Sequence, residues 1–111
     1  MFQALYHYTN ETGLAGILRS STILPSTRAA NPKDARFGDG QYMTDILPGS
    51  KRPAQLSRIF LGHPWAGKRF SHRVDVNVAG LNVMFGRPNV YVIPNTTPLD
   101  ISHRLVGHGR G

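Results

Sequence analysis

Apolar positions change their period along the chain, and that change separates its elements. Residues 2–9 are rich in aromatic side chains and alternate weakly, which predicts a first strand. Leu14, Ile17 and Leu18 then recur at i, i+3 and i+4, the stripe of a short helix. Asn10 is placed to cap that helix and Glu11 to favour its first turn, while Gly13 and Gly16 weaken it. Residues 26–39 lose any period. They are polar and basic, and Asn31-Pro32 and Gly38-Asp39-Gly40 break them into a loop. A short strand is predicted over 41–46. A second helix is predicted over 53–61, with Pro53 in its first turn, Leu56, Ile59 and Phe60 as its stripe, and Gly62 just past its end. Residues 64–67 read as a loop.

The second half alternates with period two. Val74, Val76 and Val78 fall on one face and Arg73, Asp75 and Asn77 on the other, a strand over 70–78. Gly80 breaks it. Residues 81–85 and 99–106 are further strand candidates, and Val90-Tyr91-Val92-Ile93 is a β-branched and aromatic run suited to burial. Residues 108–111 are expected to fray. The sum is an α+β domain dominated by strands, with two short helices.

Composition narrows the chemistry. A chain of 111 residues favours one domain, 1–111, with a single modest core. The absence of cysteine excludes disulfides, thiolate metal sites and a cysteine nucleophile. No apolar run approaches the roughly 20 residues of a membrane-spanning helix. The first residues lack the basic-then-apolar order of a signal peptide. His63, His72, His103 and His108 show no metal-ligand spacing, so no metal site is expected. Thirteen Lys and Arg against six Asp and Glu give a formal charge of +7. Such a field draws nucleic acid, acidic protein faces and dinucleotide phosphates alike, although the basic residues are scattered and not in one run.

Two segments carry a more specific signal. Leu5-Tyr6-His7-Tyr8-Thr9 resembles the strand motif of diphtheria-toxin-like and poly(ADP-ribose)-polymerase-like ADP-ribosyltransferases, in which an aromatic residue precedes His, then Gly, then Ser or Thr. Phe37-Gly38-Asp39-Gly40-Gln41-Tyr42-Met43-Thr44-Asp45 resembles the Gly-x-Gly-x-Tyr turn of the same superfamily. The two occur in the family's order, and together they resemble its bacterial polymorphic-toxin branch with a His, Tyr, Asp signature.

The resemblance implies a strand-dominated ADP-ribosyltransferase-like fold of two small packed sheets with two short helices, and NAD as co-substrate. It implies that His7, Tyr8 and Thr9 and, from the second segment, Phe37, Gly38, Gly40 and Tyr42 bind the dinucleotide. His7 would bond a ribose hydroxyl through one ring nitrogen while backbone fixes the other. Tyr8, standing where the family has Gly, would offer its backbone to the nicotinamide amide and turn its ring away. Thr9 would support the site through its hydroxyl. Tyr42 would stack on nicotinamide, Gly38 and Gly40 would let backbone approach, and Phe60 or Trp65 would supply a second ring. Arg28, Lys33 or Arg36 would meet the diphosphate.

Many members place a Glu at the start of a late strand to stabilise the cation that forms as nicotinamide leaves. Here Asn89 precedes the strand, so the acid must be Asp45, Asp75 or Asp100, with Asp100 favoured by its late position and Asp45 read as a helix cap. The lack of a Glu favours a single transfer over polymer synthesis. The resemblance further implies a secreted or injected effector domain, the C-terminal toxin portion of a longer protein. It would act in the target-cell cytoplasm on RNA or protein, with RNA slightly favoured by charge, and would be countered by an acidic immunity protein. The rival readings are a metal-free ribonuclease using His7 and His72 as acid and base, a non-catalytic basic RNA-binding module, and a same-fold RNA 2′-phosphotransferase.

Overall fold

The computed structural model describes residues 3–30, 32 and 35–110. Its elements run β1 (Ala4–Thr9), α1 (Glu11–Ser20), β2 (Thr22–Ile23), β3 (Gly40–Met43), α2 (Pro53–Leu61), a 3₁₀ stretch (Pro64–Phe70), β4 (His72–Asn77), β5 (Met84–Arg87), β6 (Val90–Pro94), β7 (Leu99–Asp100) and β8 (Leu105–Arg110). All pairings are antiparallel: one sheet has the order β1-β4-β8, another β3-β6-β5, and β2 pairs with β7. The strand-dominated α+β class expected from the pattern is the one observed.

Local chemistry sets the helix ends. The Asn10 side chain accepts the Gly13 N–H at 2.7 Å, and α1 stops where Ser21 turns left-handed at φ 54°. Pro53 opens α2, Gln55 reaches back to accept the Arg52 N–H at 2.8 Å, and Gly62 closes it at φ 85°. The valines of β4 are buried as their alternation predicts.

Apolar burial divides into two clusters. An aliphatic one joins Leu5, Leu14, Ile17, Ile23, Met43, Val74, Val76, Val78, Ile93, Leu99 and Ile101. A second, aromatic one gathers Tyr8, Ile46, Leu56 and Phe70, with Tyr6, Ile59, Phe60 and Leu61 against them. Consecutive residues of β1 thus serve different clusters, as strand geometry requires. The two three-stranded sheets meet where Tyr6 and Thr44 exchange backbone hydrogen bonds of 2.9 and 2.8 Å.

Several elements depart from the pattern. Residues 64–67 belong to the 3₁₀ stretch, because Ser57, fully buried on α2, donates to the His63 carbonyl and accepts the Ala66 N–H. The strand expected over 81–85 lies at Met84–Arg87. The span 99–106 splits into β7 and the start of β8. The expected fraying of the tail fails for residues 108–110, which pair with β4. Gly107 and Gly109 explain this pairing. A Cβ on Gly107 would meet an Asp75 carboxylate oxygen at 2.8 Å, and one on Gly109 an Arg73 guanidinium nitrogen at 2.6 Å. Two glycines leave room for the Arg73–Asp75 ion pair (3.3 Å) to lie flat across β8.

Candidate active site

A cleft opens beside the junction of the two sheets. Tyr6, His7 and Tyr8 of β1 form one wall and Tyr42, Met43 and Thr44 another. Arg36 and Phe37 come from the preceding loop, Phe60 and Leu61 from α2, Arg69 and Phe70 from the 3₁₀ stretch, and Arg87 and Val90 from the β5–β6 hairpin. Its volume of about 160 Å³ is comparable to that of an apolar cavity known to take a benzene ring, roughly 150 Å³. One heteroaromatic ring fits; a whole dinucleotide must extend beyond it.

His7 and Tyr42, 35 positions apart, meet directly: the His7 Nδ1 lies 2.8 Å from the Tyr42 carbonyl oxygen. A carbonyl only accepts, so Nδ1 carries the proton and the neutral ring keeps its lone pair on Nε2. Burial lowers the His7 pKa from its ordinary value, and the bond to Tyr42 only partly opposes this, so the ring is neutral near pH 7. The Tyr42 hydroxyl donates to the Gly38 carbonyl at 2.8 Å and accepts the Phe37 N–H at 2.8 Å. Burial raises its pKa, so the phenol stays protonated and the ring is pinned against its own loop. Gly40 is required by close approach: a Cβ there would lie 2.2 Å from the Ile93 carbonyl oxygen. Phe37 rests over Gly86, where a Cβ would strike its ring at 2.7 Å.

Tyr8 does what a bulky residue in a Gly position must. Its hydroxyl donates to the Ile46 carbonyl at 3.0 Å and its ring packs 6.3 Å from Phe60, inside the aromatic cluster. Burial pushes its pKa up to about 12. Phe60 belongs to the same cluster, 5.1 Å from Phe70, yet also borders the cleft; Trp65 instead stacks on His63 outside it. Thr9 lies beyond the cleft lining, opposite His72 in the sheet, with its hydroxyl tight against Gly13.

The acidic candidates are dispersed. No described Asp or Glu lines the cleft. Asp75 is paired with Arg73 across β8. Asp100 is exposed on β7, and its carboxylate accepts the Ser102 N–H at 2.8 Å, which lowers its pKa. Asp45, just after β3, accepts from Asn89 at 3.0 Å and from the Tyr91 hydroxyl at 3.4 Å. Asn89 itself turns left-handed (φ 69°) in the β5–β6 hairpin, and it is Val90, the next residue, that faces the cleft. Among the diphosphate candidates, the Arg28 guanidinium bonds the Ala35 and Arg36 carbonyls and so shapes the loop. Arg36 borders the cleft, and Lys33 lies outside the described residues. Sequence reasoning missed Arg69, Arg87, Phe70 and Val90. Charge and apolarity marked them, but nothing local tied them to His7.

The family signature described as "HYD1 signature containing ADP-ribosyltransferase" matches residues 5–105, from the residue after Ala4 to the start of β8. The chain belongs to this ADP-ribosyltransferase toxin family. The match spans both motif segments, the whole β3-β6-β5 sheet, β4 and nearly all of β1, and every cleft-lining residue of this transferase domain. No curated protein and no solved structure matches the chain in the corresponding comparisons. No helix among the described residues is long and apolar enough to cross a membrane.

Proposed function

We propose that the domain transfers a single ADP-ribose unit from NAD to a macromolecular acceptor, with RNA favoured over protein, and releases nicotinamide. The observation that carries this reading is the 2.8 Å bond from His7 Nδ1 to the Tyr42 carbonyl. It brings the two signature residues to one cleft and leaves His7 Nε2 as an acceptor for a sugar hydroxyl. Tyr42 and Phe60 offer flat, pinned rings where the nicotinamide would sit. Arg36, Arg69 and Arg87 put three guanidinium groups and no described carboxylate on the lining, which favours the diphosphate.

NAD brings a ribose already bonded to a cationic pyridinium, a leaving group that departs neutral. The C–N bond breaks with its electron pair going to the pyridine nitrogen. The oxocarbenium carbon then bonds an acceptor oxygen or nitrogen, whose proton passes to solvent. The chain's own contribution is to orient the ribose at His7, hold the ring at Tyr42 and exclude water with the aromatic cluster. The lack of a Glu at the start of β6, where Asn89 precedes Val90, supports a single transfer. No second histidine lines the cleft, and His72 lies in a separate groove, which disfavours an acid–base ribonuclease built on His7 and His72.

The same reading makes the domain the toxin portion of a longer effector acting in the cytoplasm of a target cell. Its charge of +7 suits an acidic immunity protein. Incubation with labelled NAD and cell extract, followed by separate nuclease and protease digestion, tests it. Nicotinamide release and label freed by nuclease are expected; RNA cleavage that proceeds without NAD would overturn it.

A further inference from the structure

A second groove shares a wall with the cleft. It is open and wider, about 600 Å³, and its basic side is formed by Lys68, Arg69, His72 and Arg110. Arg69 borders both spaces, so the groove adjoins the cleft. Among the described residues Glu11 is the one carboxylate on its lining, against three permanent cations. The cations do not sit on a loose loop. A Cβ on Gly67 would lie 3.0 Å from the Pro53 carbonyl carbon, so the 3₁₀ stretch packs closely on the start of α2. The Ser71 hydroxyl anchors the His72 ring at 2.9 Å.

The same 3₁₀ stretch carries an aromatic ring that the fold does not bury. Trp65 is 80 % exposed, although indole is a costly ring to leave in water. One of its faces stacks nearly parallel on His63, at 11° with centroids 4.3 Å apart. Trp65 lies outside the groove's own lining, on the same 3₁₀ stretch, and precedes Lys68 and Arg69 by three and four residues. An exposed aromatic face followed by a basic track is the combination by which proteins hold single-stranded nucleic acid, because bases stack and phosphates follow the cations. A duplex hides its base faces and could not use the ring.

We propose that this groove binds the acceptor as a single-stranded nucleic acid, its phosphates along Lys68, Arg69, His72 and Arg110 and a base on Trp65. The inference rests on the transferase reading only for its purpose; the binding surface stands or falls on its own.

The test uses the whole domain and a short labelled single-stranded oligouridylate, followed by fluorescence anisotropy across a salt series, with NAD hydrolysis measured in parallel. Lys68→Glu with Arg110→Glu should weaken binding at least about tenfold and flatten the log–log salt slope by about 1.4, the share of two single-strand phosphate contacts. The milder pair Lys68→Gln with Arg110→Gln should show the same slope change, which separates lost contacts from a disturbed fold. Trp65→Ala should weaken binding roughly tenfold and leave the slope unchanged, since stacking releases no counterions. In all three, NAD hydrolysis should match the parent. Oligouridylate binding that is absent in the parent, or unaffected by these changes, overturns the proposal. A raised KM for NAD in the variants also overturns it, by giving the groove to the dinucleotide, as does transferred label that only protease removes. A parent that binds oligouridylate through these residues but hydrolyses no NAD upholds the surface and defeats the transferase reading instead.

Discussion

The two apolar clusters differ in what they are made of and in where they stop. The aliphatic one ties α1, β1, β4 and β6 together and borders the cleft at one member, Met43. The aromatic one contributes Tyr6, Tyr8, Phe60, Leu61 and Phe70 to the cleft wall. Aliphatic side chains fill volume without direction, while rings with hydroxyls present faces and need fixed partners. The domain therefore keeps the part that holds it together separate from the part that would touch a ligand, and β1 belongs to both: Leu5 serves the first and Tyr8 the second. The contrast teaches that neighbouring residues on one strand should fail in different ways.

The largest effect is expected on the aliphatic side. Leu5 is fully buried, so Leu5→Ala should cost about 2–5 kcal/mol from lost transfer energy and the cavity left behind. In a domain this small that is a large share of total stability, read as a lower urea midpoint. Two residues along, His7→Ala should move a different quantity. It removes the acceptor at Nε2 and should lower transfer about 100-fold while shifting the urea midpoint much less than Leu5→Ala does. Equal losses of stability in the two variants would erase the distinction between a residue that holds the fold together and one that would touch the ligand.

The same comparison bears on how far the sequence could be read. Elements whose cause is local were legible: the Asn10 cap, Pro53 and Gly62 around α2, and the alternating valines of β4. So was the His7–Tyr42 pair, because both residues sit in short motifs. What a distant strand decides was not. β8 contains two glycines and little buried apolar surface, so nothing in its own composition reveals that it pairs with β4; the reason lies on Arg73 and Asp75, some 30 positions earlier. This also explains why Asp75 is committed to the fold, away from the cleft. Val90 was hidden behind Asn89 for a related reason. The left-handed turn at Asn89 decides which of the two faces inward, and a positive φ at a non-glycine residue leaves only a faint mark in sequence.

A smaller effect is expected where the cleft depends on its loop. Tyr42→Phe keeps the ring but deletes the hydroxyl that joins the Phe37 N–H to the Gly38 carbonyl. Loss of these bonds should cost about 1–2 kcal/mol of loop order, seen as an NAD KM raised about tenfold with kcat changed less. Acidification should act through His7. Its folded pKa is below the ordinary 6.5, so as pH falls below that value the unfolded chain takes the proton first. His7's contribution to stability is complete above pH 6.5 and is lost as pH falls towards the lowered folded value. NMR titration of the ring should give a midpoint below 6.5, and His7→Gln should flatten the acid dependence of the urea midpoint. A midpoint above 6.5 would mean that the Tyr42 bond outweighs burial.

Tyr8 offers the finest cut through the comparison, because it lies in the aromatic cluster but points its functional group away from the cleft. Tyr8→Phe removes only the bond to the Ile46 carbonyl and leaves that buried oxygen without its partner, a cost of about 1 kcal/mol. Its backbone, the part expected to meet the nicotinamide amide, is unchanged, so KM for NAD should be too. The parent should also lose stability at alkaline pH in a way the variant does not. The phenol's pKa is raised to about 12 in the folded state against an ordinary 10, so the stability it confers is complete below pH 10 and is lost as pH rises towards 12. A KM shift in Tyr8→Phe as large as that in Tyr42→Phe would show that ring anchoring in the cluster sets the cleft, and the division between holding and touching would then have to be drawn through the aromatic cluster instead of beside it.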